Sequence, residues 1–531
     1  HPDFCAKGNC RVCVVEVKGK RKLVTACSTE IQNGMEISTD SPRVLAARKM
    51  NIELIFAEHI EKCPECVWRY QCKLLKFAKE YKLSISKFKD RKRARKIFKF
   101  SKSVELDSSQ CIDCRNCVDA CAMQKINHLE IKGKAAKQEI VPTTSRKTEC
   151  ILCGQCAVHC PVSAAQEQVE WQKLEKELKF GHKIMVAQFA PSLRVSIGED
   201  FDVPYGSVMT GQMVAGLKKL GFDYVFDVNF GADITTMVEA EELLERVKNK
   251  GVLPLFTSCC PSWVNYVEIY RPDLIPNLTT ARSPHMHSAG VIKTYWAHKK
   301  NISADKITVV SIMPCTSKKD EAKRGEMKIG GEFPVDHVLT TREFSFLLKK
   351  DNIDLTKLKP CEVDNPIGES SGAAVIYGGS GGVMESALRT AQYLACQESR
   401  ANLCLEKLDF KSVRGMAGFK EAVVRIGNRT LVVGVVNGIG HIDEVLKNLK
   451  KYAYIEVMAC PGGCIGGGGQ PIPTTEVIRQ KRIAALYQLD TKNKIRKAHE
   501  NKSVKSALNW LKKQGHETEH VVLHTKYKKK I

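Results

Sequence analysis

Two adjacent cysteines, Cys259 and Cys260 in FTSCCPSW (residues 256–263), pose the first chemical problem of this sequence. Neighbouring side chains of an extended segment point to opposite faces, so the two thiols do not approach one metal from the same side. One suits a metal ligand, and the other is idle, disulfide-bonded or chemically employed. Two more segments offer thiols: IMPCTSKKDEAKR (312–324) with Cys315, and EVMACPGGCIGGGGQP (456–471) with Cys460 and Cys464. With Cys260 these make four thiolates at the ends of strand-like runs, where α/β proteins collect ligands. The glycine run after Cys464 admits backbone close to a bulky cofactor. Singly, a C-x3-C is also structural and a glycine run is also a turn; the coincidence of all three segments is what points to a metal centre.

A denser cysteine pattern lies upstream. CIDCRNCVDAC (Cys111, Cys114, Cys117, Cys121) and CILCGQCAVHCP (Cys150, Cys153, Cys156, Cys160) both read C-x2-C-x2-C-x3-C. In the two-cluster ferredoxin run each fourth cysteine serves the other cluster. One 4Fe–4S cluster is therefore assigned to Cys111, Cys114, Cys117 and Cys160, the other to Cys121, Cys150, Cys153 and Cys156. A double zinc site is the plainer alternative, but zinc motifs do not usually keep eight cysteines at this doubled spacing. Before the repeat, HIEKCPECVWRYQC holds His59, Cys63, Cys66 and Cys72. Zinc held by three cysteines and one histidine competes on spacing alone; beside two clusters, a third 4Fe–4S centre with one imidazole ligand is the more economical reading. At the start, Cys10, Cys13 and Cys27 read as three ligands of a 2Fe–2S cluster, and Cys5-x4-Cys10-x2-Cys13 has plant-type spacing. Such a row moves single electrons between surface and interior without saying what they are for.

The elements that position these residues follow from pattern and length. A chain of 531 residues exceeds one ordinary core. Residues 1–40 alternate short strands and turns, 41–86 are helical, 87–102 form a basic linker, 103–172 hold the cysteine repeat, and 173–531 form the catalytic domain. In the last, strand-like runs (KIMVAQFAP, YVFDVNF, ITVVSIMPC, YIEVMAC) alternate with helical ones (MTGQMVAGLKKLG, MVEAEELLERVKNK, MESALRTAQYLA), an α/β pattern. The last fifty residues read as a helix and a short tail. The 23 cysteines, clustered in so large a chain, indicate thiolate ligation in a reducing compartment rather than a secreted disulfide scaffold. No run is long and apolar enough to cross a bilayer. The opening HPDFCAKGNCRVC resembles no targeting segment and reads as the middle of a domain, so the true sequence is expected to begin upstream. The formal charge of +24 counts every cysteine as neutral, and thiolate-bound clusters lower it. The basic run KFKDRKRARKIFKFSK has no nucleic-acid-binding motif beside it; it reads as a solvated linker that steers an acidic partner.

The three cysteine segments of the catalytic domain resemble the active-site signatures of iron-only ([FeFe]) hydrogenases, and the resemblance covers nearly the whole chain. It implies a multidomain α/β and α+β protein: a truncated N-terminal β-grasp 2Fe–2S module, a 4Fe–4S module with one histidine and three cysteine ligands, a two-cluster ferredoxin module and an α/β domain for the H-cluster with a small-subunit-like helical tail. In that family four cysteines hold a 4Fe–4S cluster, one of them bridging to a di-iron centre with CO, cyanide and a dithiolate bridge. By motif position these are Cys260, Cys315, Cys460 and Cys464, with Cys464 bridging. Cys259 then passes protons to the bridge amine, and the reaction is the reversible reduction of protons to H2. Lys318 matches the cyanide-binding lysine; Ala190, Pro191 and Ser192 match the cofactor-facing loop; Met313 and Met458 match its apolar neighbours. Glu239 and Glu242, three apart on a helix, match the proton-relay carboxylates, with Arg246 at the outer end and Thr279 at a hydroxyl position that is usually Ser. His285 and Met286 stand where relatives carry amides, and a histidine there either titrates near neutrality or packs neutral. The N-terminal module also resembles the first domain of the complex I large subunit. There the first cluster ligand precedes the His-Pro pair, so only Cys10, Cys13 and Cys27 carry over.

The resemblance weighs against three other classes. Cytosolic iron–sulfur assembly factors share the fold but lack the 2Fe–2S module and the full TSCCPSW and MPCTSKK signatures. A sensory H2-binding protein is marked by loss of the proton-relay cysteine, and a complex I-type subunit lacks the downstream cysteine pattern. What remains is a ferredoxin-type hydrogenase with H2 and protons as substrates, an acidic ferredoxin and maturation factors as partners, no nucleic acid and no membrane insertion. It is expected in a hydrogenosome or in an anaerobe's cytoplasm. Cys361, Cys396 and Cys404 receive no role, with buried packing as their expectation.

Overall fold

Valine, isoleucine and phenylalanine fill the runs that precede the catalytic cysteines, and in the computed structural model these runs are strands of two four-stranded sheets. The structure describes all residues except 1, 2, 5, 60–61, 85–86, 89–94, 135–136, 366, 400–409 and 531. In the first sheet Tyr224–Asp227, Ile184–Phe189, Ile307–Met313 and His337–Thr340 are all parallel, in that order. Ile307–Met313 is buried along its full length, the continuous apolar run of a parallel strand covered on both faces. In the second sheet Leu255–Phe256, Tyr454–Met458 and Arg429–Asn437 are parallel, and Phe419–Ile426 closes the edge antiparallel. That edge strand buries Ala422, Val424 and Ile426 and exposes Glu421, Val423 and Arg425, the alternation of a one-sided strand. Because the parallel strands of each sheet run the same way, their C-terminal ends gather, and both sheets deliver those ends to one cavity.

The accessory modules are smaller. Val14–Val17 pairs antiparallel with Val24–Thr25 and with Ile37–Ser38. The following helix Pro42–Glu58 is started by Ser41, whose hydroxyl accepts the Val44 N–H, and by a proline in its first turn. In the cysteine-repeat module, Ile97–Phe100, Val104–Asp107 and Ala165–Glu167 form an antiparallel sheet, and Leu129–Lys132 pairs with Glu139–Pro142. Residues 97–100 were expected in the basic linker. They are instead an edge strand whose lysine between two phenylalanines disguised its alternation, and residues 89–94 of that run lie outside the described residues. The C-terminal segment also departs from expectation: it holds three helices, Glu476–Lys492, Lys502–Lys513 and His516–Leu523. Asn501 caps the second by accepting the Ser503 and Val504 N–H groups, and Gly515 at φ +99° breaks the chain before the third. Among the described residues no helix is long and apolar enough to cross a membrane.

Candidate active site

Ile184–Phe189 runs out into Ala190 and Pro191, Ile307–Met313 into Cys315, Leu255–Phe256 into Cys259 and Cys260, and Tyr454–Met458 into Cys460. All of these, with Cys464, Lys318, Met313 and Met458, line one apolar cavity. Ser192 is buried behind the wall: its hydroxyl accepts from Gln470, which also donates to the Cys464 carbonyl. Cys460 is buried and Cys260, Cys315 and Cys464 are half-buried, the cavity being their remaining exposure.

Cys260 is the N-cap of the helix Pro261–Tyr270, whose Ser262 and Trp263 N–H groups turn toward its sulfur. The N–H groups of Ser317 and Lys318 reach Cys315 in the same way. Amides at a helix start favour a thiolate, but burial outweighs them here: it pushes Cys315 up to about 11 and Cys464 up to about 12, and raises Cys260 and Cys460 as well. Thiols so buried lose their protons when a metal cation replaces them. Among the described residues no three His, Cys, Asp or Glu converge on one ion-sized point; the four cysteines instead share the lining of one cavity. Donor set and cavity therefore fit a thiolate-bound iron–sulfur group with apolar Met313 and Met458 beside it.

Lys318 brings the positive charge. Its Nζ donates to Glu321 Oε2 at 2.7 Å and to the Cys259 carbonyl at 3.0 Å. Burial would lower its pKa, but Glu321 and the thiols of Cys315 and Cys259 raise it overall. Burial works against the Glu321 carboxylate, yet Lys318 and His285 hold it at about 2. His285 lies against the same carboxylate, 2.7 Å from Oε2, and lines the cavity. Burial and Lys318 lower its pKa against the opposing pull of Glu321, which favours the packed neutral imidazole of the two sequence alternatives.

A second set of side chains leads outward from Cys259. Glu239 and Glu242 share one face of the helix Asn229–Lys248. Glu239 Oε1 accepts from the Tyr454 hydroxyl at 2.7 Å, while Oε2 is buried with no hydrogen-bond partner among the described residues. Burial first, then Glu242 and Glu456, push its carboxyl up to about 8. Glu242 Oε2 accepts from Thr279 Oγ1 at 2.6 Å, and Oε1 accepts from Arg246 at 2.5 Å. Cys259 lies in the field of Glu239, and burial with that charge raises its thiol far above the ordinary value.

The cysteine repeat is visible in the backbone. Asp113 and Leu152, at matching positions, both have positive φ and both donate an N–H to the preceding cysteine sulfur, Cys111 and Cys150, at 3.4 Å. Arg115 and Gly154 match likewise, each a left-handed residue before a helix. The Cys117 thiol is raised by burial and then by Cys111, Cys114, Cys160 and Cys156, and the Cys156 thiol by burial and then by Cys153, Cys150, Cys121 and Cys160, so the eight thiols of the repeat crowd together. The Cys153 set abuts the cavity. A Cβ on Gly154 would stand 2.3 Å from Thr316 Oγ1 and 3.0 Å from Gly468 Cα, so only glycine permits this approach. Gln124 and Gln155 stitch the contact by donating to the Ala459 and Gly466 carbonyls. Part of the glycine run thus serves the seam between modules rather than the cavity.

His59 Nδ1 lies 2.8 Å from the Gln110 carbonyl. A carbonyl only accepts, so Nδ1 carries the proton and Nε2 the lone pair that a metal takes. Cys63, Cys66 and Cys72 are half-buried, and burial pushes Cys66 up to about 11. In the N-terminal module Cys10 and Cys27 are exposed and Cys13 half-buried, and Cys5 lies outside the described residues. Contrary to expectation Cys361 is exposed and Cys396 is disulfide-bonded; Cys404 lies outside the described residues. Sequence reasoning missed Glu321, Tyr454 and Thr280. Only Glu321 had a local signal, its i,i+3 spacing from Lys318.

Residues 183–468 match the family model of the iron only hydrogenase large subunit, C-terminal domain, and residues 476–530 that of the iron hydrogenase small subunit. Residues 1–42 match a 2Fe-2S iron-sulfur cluster binding domain and residues 88–164 a 4Fe-4S dicluster domain. The chain is 40% identical to iron hydrogenase 1 of Clostridium pasteurianum over 98% of its own length and 92% of that protein. It is 39% identical to the NADP-reducing hydrogenase subunit HndD of Solidesulfovibrio fructosivorans, over 98% and 91%. An [FeFe]-hydrogenase structure from Chlamydomonas reinhardtii superposes with a TM-score of 0.59 at 37% identity, covering 67% of this chain and 98% of that one. Cytosolic iron-sulfur assembly component 3 of Bos taurus is more distant, 27% identical over 71% of this chain.

Proposed function

This chain belongs to the iron-only hydrogenase family and is a hydrogenase, and on that premise we propose how its own residues serve the interconversion of two protons and two electrons with H2. Cys260, Cys315, Cys460 and Cys464 would hold the H-cluster. When bound, the H-cluster with its CO, cyanide and dithiolate ligands supplies the electron pair and the place where the H–H bond is made or broken. Lys318, fixed by Glu321, would stabilise an anionic ligand of the group by a charge-assisted hydrogen bond. Met313, Met458, Ala190 and Pro191 keep water away, and Ser192 supports the loop from behind.

Protons travel through the protein's own groups. Cys259 Sγ gives a proton at the inner end and recovers one from Glu239, whose raised affinity keeps it protonated near neutral pH. Glu239 is refilled through the Thr279 hydroxyl and Glu242, which Arg246 positions. Cys10, Cys13 and Cys27 would hold a 2Fe–2S cluster, and His59, Cys63, Cys66 and Cys72 a further centre, either of which would supply a place for electrons to enter. Cys111, Cys114, Cys117 and Cys160 would hold one 4Fe–4S cluster and Cys121, Cys150, Cys153 and Cys156 another; the second would be the last station, because Cys460 Sγ lies 3.8 Å from the Cys153 carbonyl. An acidic ferredoxin is the partner that the net charge favours, maturation factors insert the di-iron group, and the many unbridged cysteines among the described residues, beside the disulfide-bonded Cys396, suit an anaerobe's cytoplasm or a hydrogenosome.

The observation that supports this reading most is the convergence of four cysteines from three distant segments, with Lys318 and Cys259, on one apolar cavity. Anaerobic maturation followed by infrared spectroscopy tests it. Bands of iron-bound CO and cyanide that shift under H2 are the expected result. Their absence in protein whose other clusters are complete would leave an electron-transfer or assembly scaffold.

A further inference from the structure

Glu242 is clasped by four donors, and their chemistry limits how a proton reaches it. Oε1 accepts from Arg246; Oε2 accepts from Thr279 Oγ1, from the Thr280 N–H at 3.0 Å and from Thr280 Oγ1 at 3.2 Å. The guanidinium and the backbone amide do not give up their protons, so exchange along these hydrogen bonds passes through a hydroxyl. Thr279 serves the inward side. Thr280 Oγ1 lies 2.9 Å from His524 Nδ1. Because the Thr280 hydroxyl donates to Glu242, the imidazole is the donor to it, and His524 Nε2 is left as the proton acceptor.

His524 heads a row. Its ring centroid lies 5.2 Å from that of His520, which lies 5.8 Å from that of His516. The three are four residues apart, so they share one face of the last helix and its C-cap. His516 is exposed, and His520 and His524 are half-buried. Glu242, Thr280 and His524 line a broad polar cavity, together with Glu241 and Glu245 from the helix Asn229–Lys248 and Lys505 and Lys512 from the helix Lys502–Lys513. Around the His524 imidazole, burial, His520 and Arg282 lower its pKa while Glu242 and Glu519 oppose them, which leaves it neutral and receptive near pH 7.

We propose that His516, His520 and His524 form a proton-collecting row that feeds Glu242 through the Thr280 hydroxyl, a second entrance to the path read above and dependent on that reading. In the inward step His524 Nε2 takes a proton from His520 or solvent, Nδ1–H passes one to Thr280 Oγ1, and Thr280 gives its own to Glu242 Oε2. One proton enters and one leaves, with no electron moved, and H2 oxidation runs the row in reverse.

The test uses the full chain with all clusters loaded. His524→Ala is expected to lower H2 evolution about tenfold near pH 8, where protons are scarce, and about twofold or less near pH 6, and millimolar imidazole restores the rate. His516→Gln/His520→Gln, both toward the surface, is expected to lose about twofold near pH 8 and to be restored likewise. Infrared bands and iron content equal to the parent separate these results from any failure of the cofactor assignment. Parental rates and pH profile in both variants would overturn the proposal. A loss in His524→Ala that imidazole leaves unrepaired would equally overturn it, because it marks a structural role.

Discussion

The catalytic cavity and the N-terminal module both present cysteines to iron, yet they are opposite constructions. In the cavity four cysteines come from three distant segments, and burial is the main cause that raises each thiol. In the module Cys10, Cys13 and Cys27 come from one short stretch, and the leading cause raising Cys27 is its hydrogen bond with Cys13. A cluster on an exposed loop meets a partner directly and needs no route for protons. A cluster inside a dry cavity gains strong electrostatics but must be supplied, on our proposal with electrons through Cys153 beside Cys460 and protons through Cys259 and the two glutamates. Burial sets the chemistry at one end and access sets it at the other.

Removing one thiol from each end is the sharpest way to break this contrast. Cys464→Ala is expected to abolish both H2 turnover and the infrared bands of the di-iron group. Cys10→Ala should leave those bands in place, along with turnover from a small-molecule reductant. Equal damage from both would mean that the N-terminal cluster also supports the cavity. Next in size is Glu242→Gln, an isosteric change that keeps the Thr279 and Thr280 contacts but cannot pass a proton. Its H2 evolution should fall about a hundredfold with unchanged infrared bands. A parental rate would show that protons reach Glu239 by another way.

How much of this was legible depended on distance along the chain. The two ferredoxin-like cysteine runs were readable because each is local, and the 4Fe-4S dicluster match covers both; the crossing of Cys121 and Cys160 is a reading from spacing alone. The helix bearing Glu239 and Glu242 and the main catalytic strands stood where their periodicity put them, because long buried runs leave little choice. What escaped was built by tertiary contact. Thr280 meets His524 across 244 residues and Tyr454 meets Glu239 across 215, and no local pattern announces either. Ser192 was expected on the cavity wall and instead faces Gln470, since a tight turn after a strand rotates successive side chains by more than a motif match records. The strand Ile97–Phe100 was hidden by its lysine, a residue that blunts an edge.

Titration of Glu239 sharpens the contrast by a few kcal/mol rather than by loss of function. In the unfolded chain this carboxyl ionises above its ordinary 4.5, whereas the fold keeps it protonated up to about 8. Between those values unfolding releases a proton, so this group takes stability away as pH rises. Glu239→Gln removes the effect. Comparing thermal midpoints of the metal-free proteins, the variant should gain on the parent by a few kcal/mol between about pH 5 and about pH 8. A constant difference would mean that the carboxylate is solvated after all. Glu16 of the N-terminal module is the counterexample: a hydrogen bond from Ser41 lowers its pKa, so no such gain is expected from Glu16→Gln.

The smallest effect concerns the exposed end. If electrons enter where Cys10 and Cys27 face solvent, the encounter with an acidic ferredoxin is steered by a chain of formal charge +24. Steering is screened over a Debye length of about 10 Å at 0.1 M salt. Raising salt from about 0.05 M to about 0.3 M should therefore lower the ferredoxin-driven rate severalfold at subsaturating donor, chiefly through KM. The rate with a small uncharged reductant should not change, because the groups inside the cavity are shielded from bulk ions. If both donors lost rate in parallel, salt would be acting on the clusters or the fold rather than on docking, and the exposed module would not be the electron entrance.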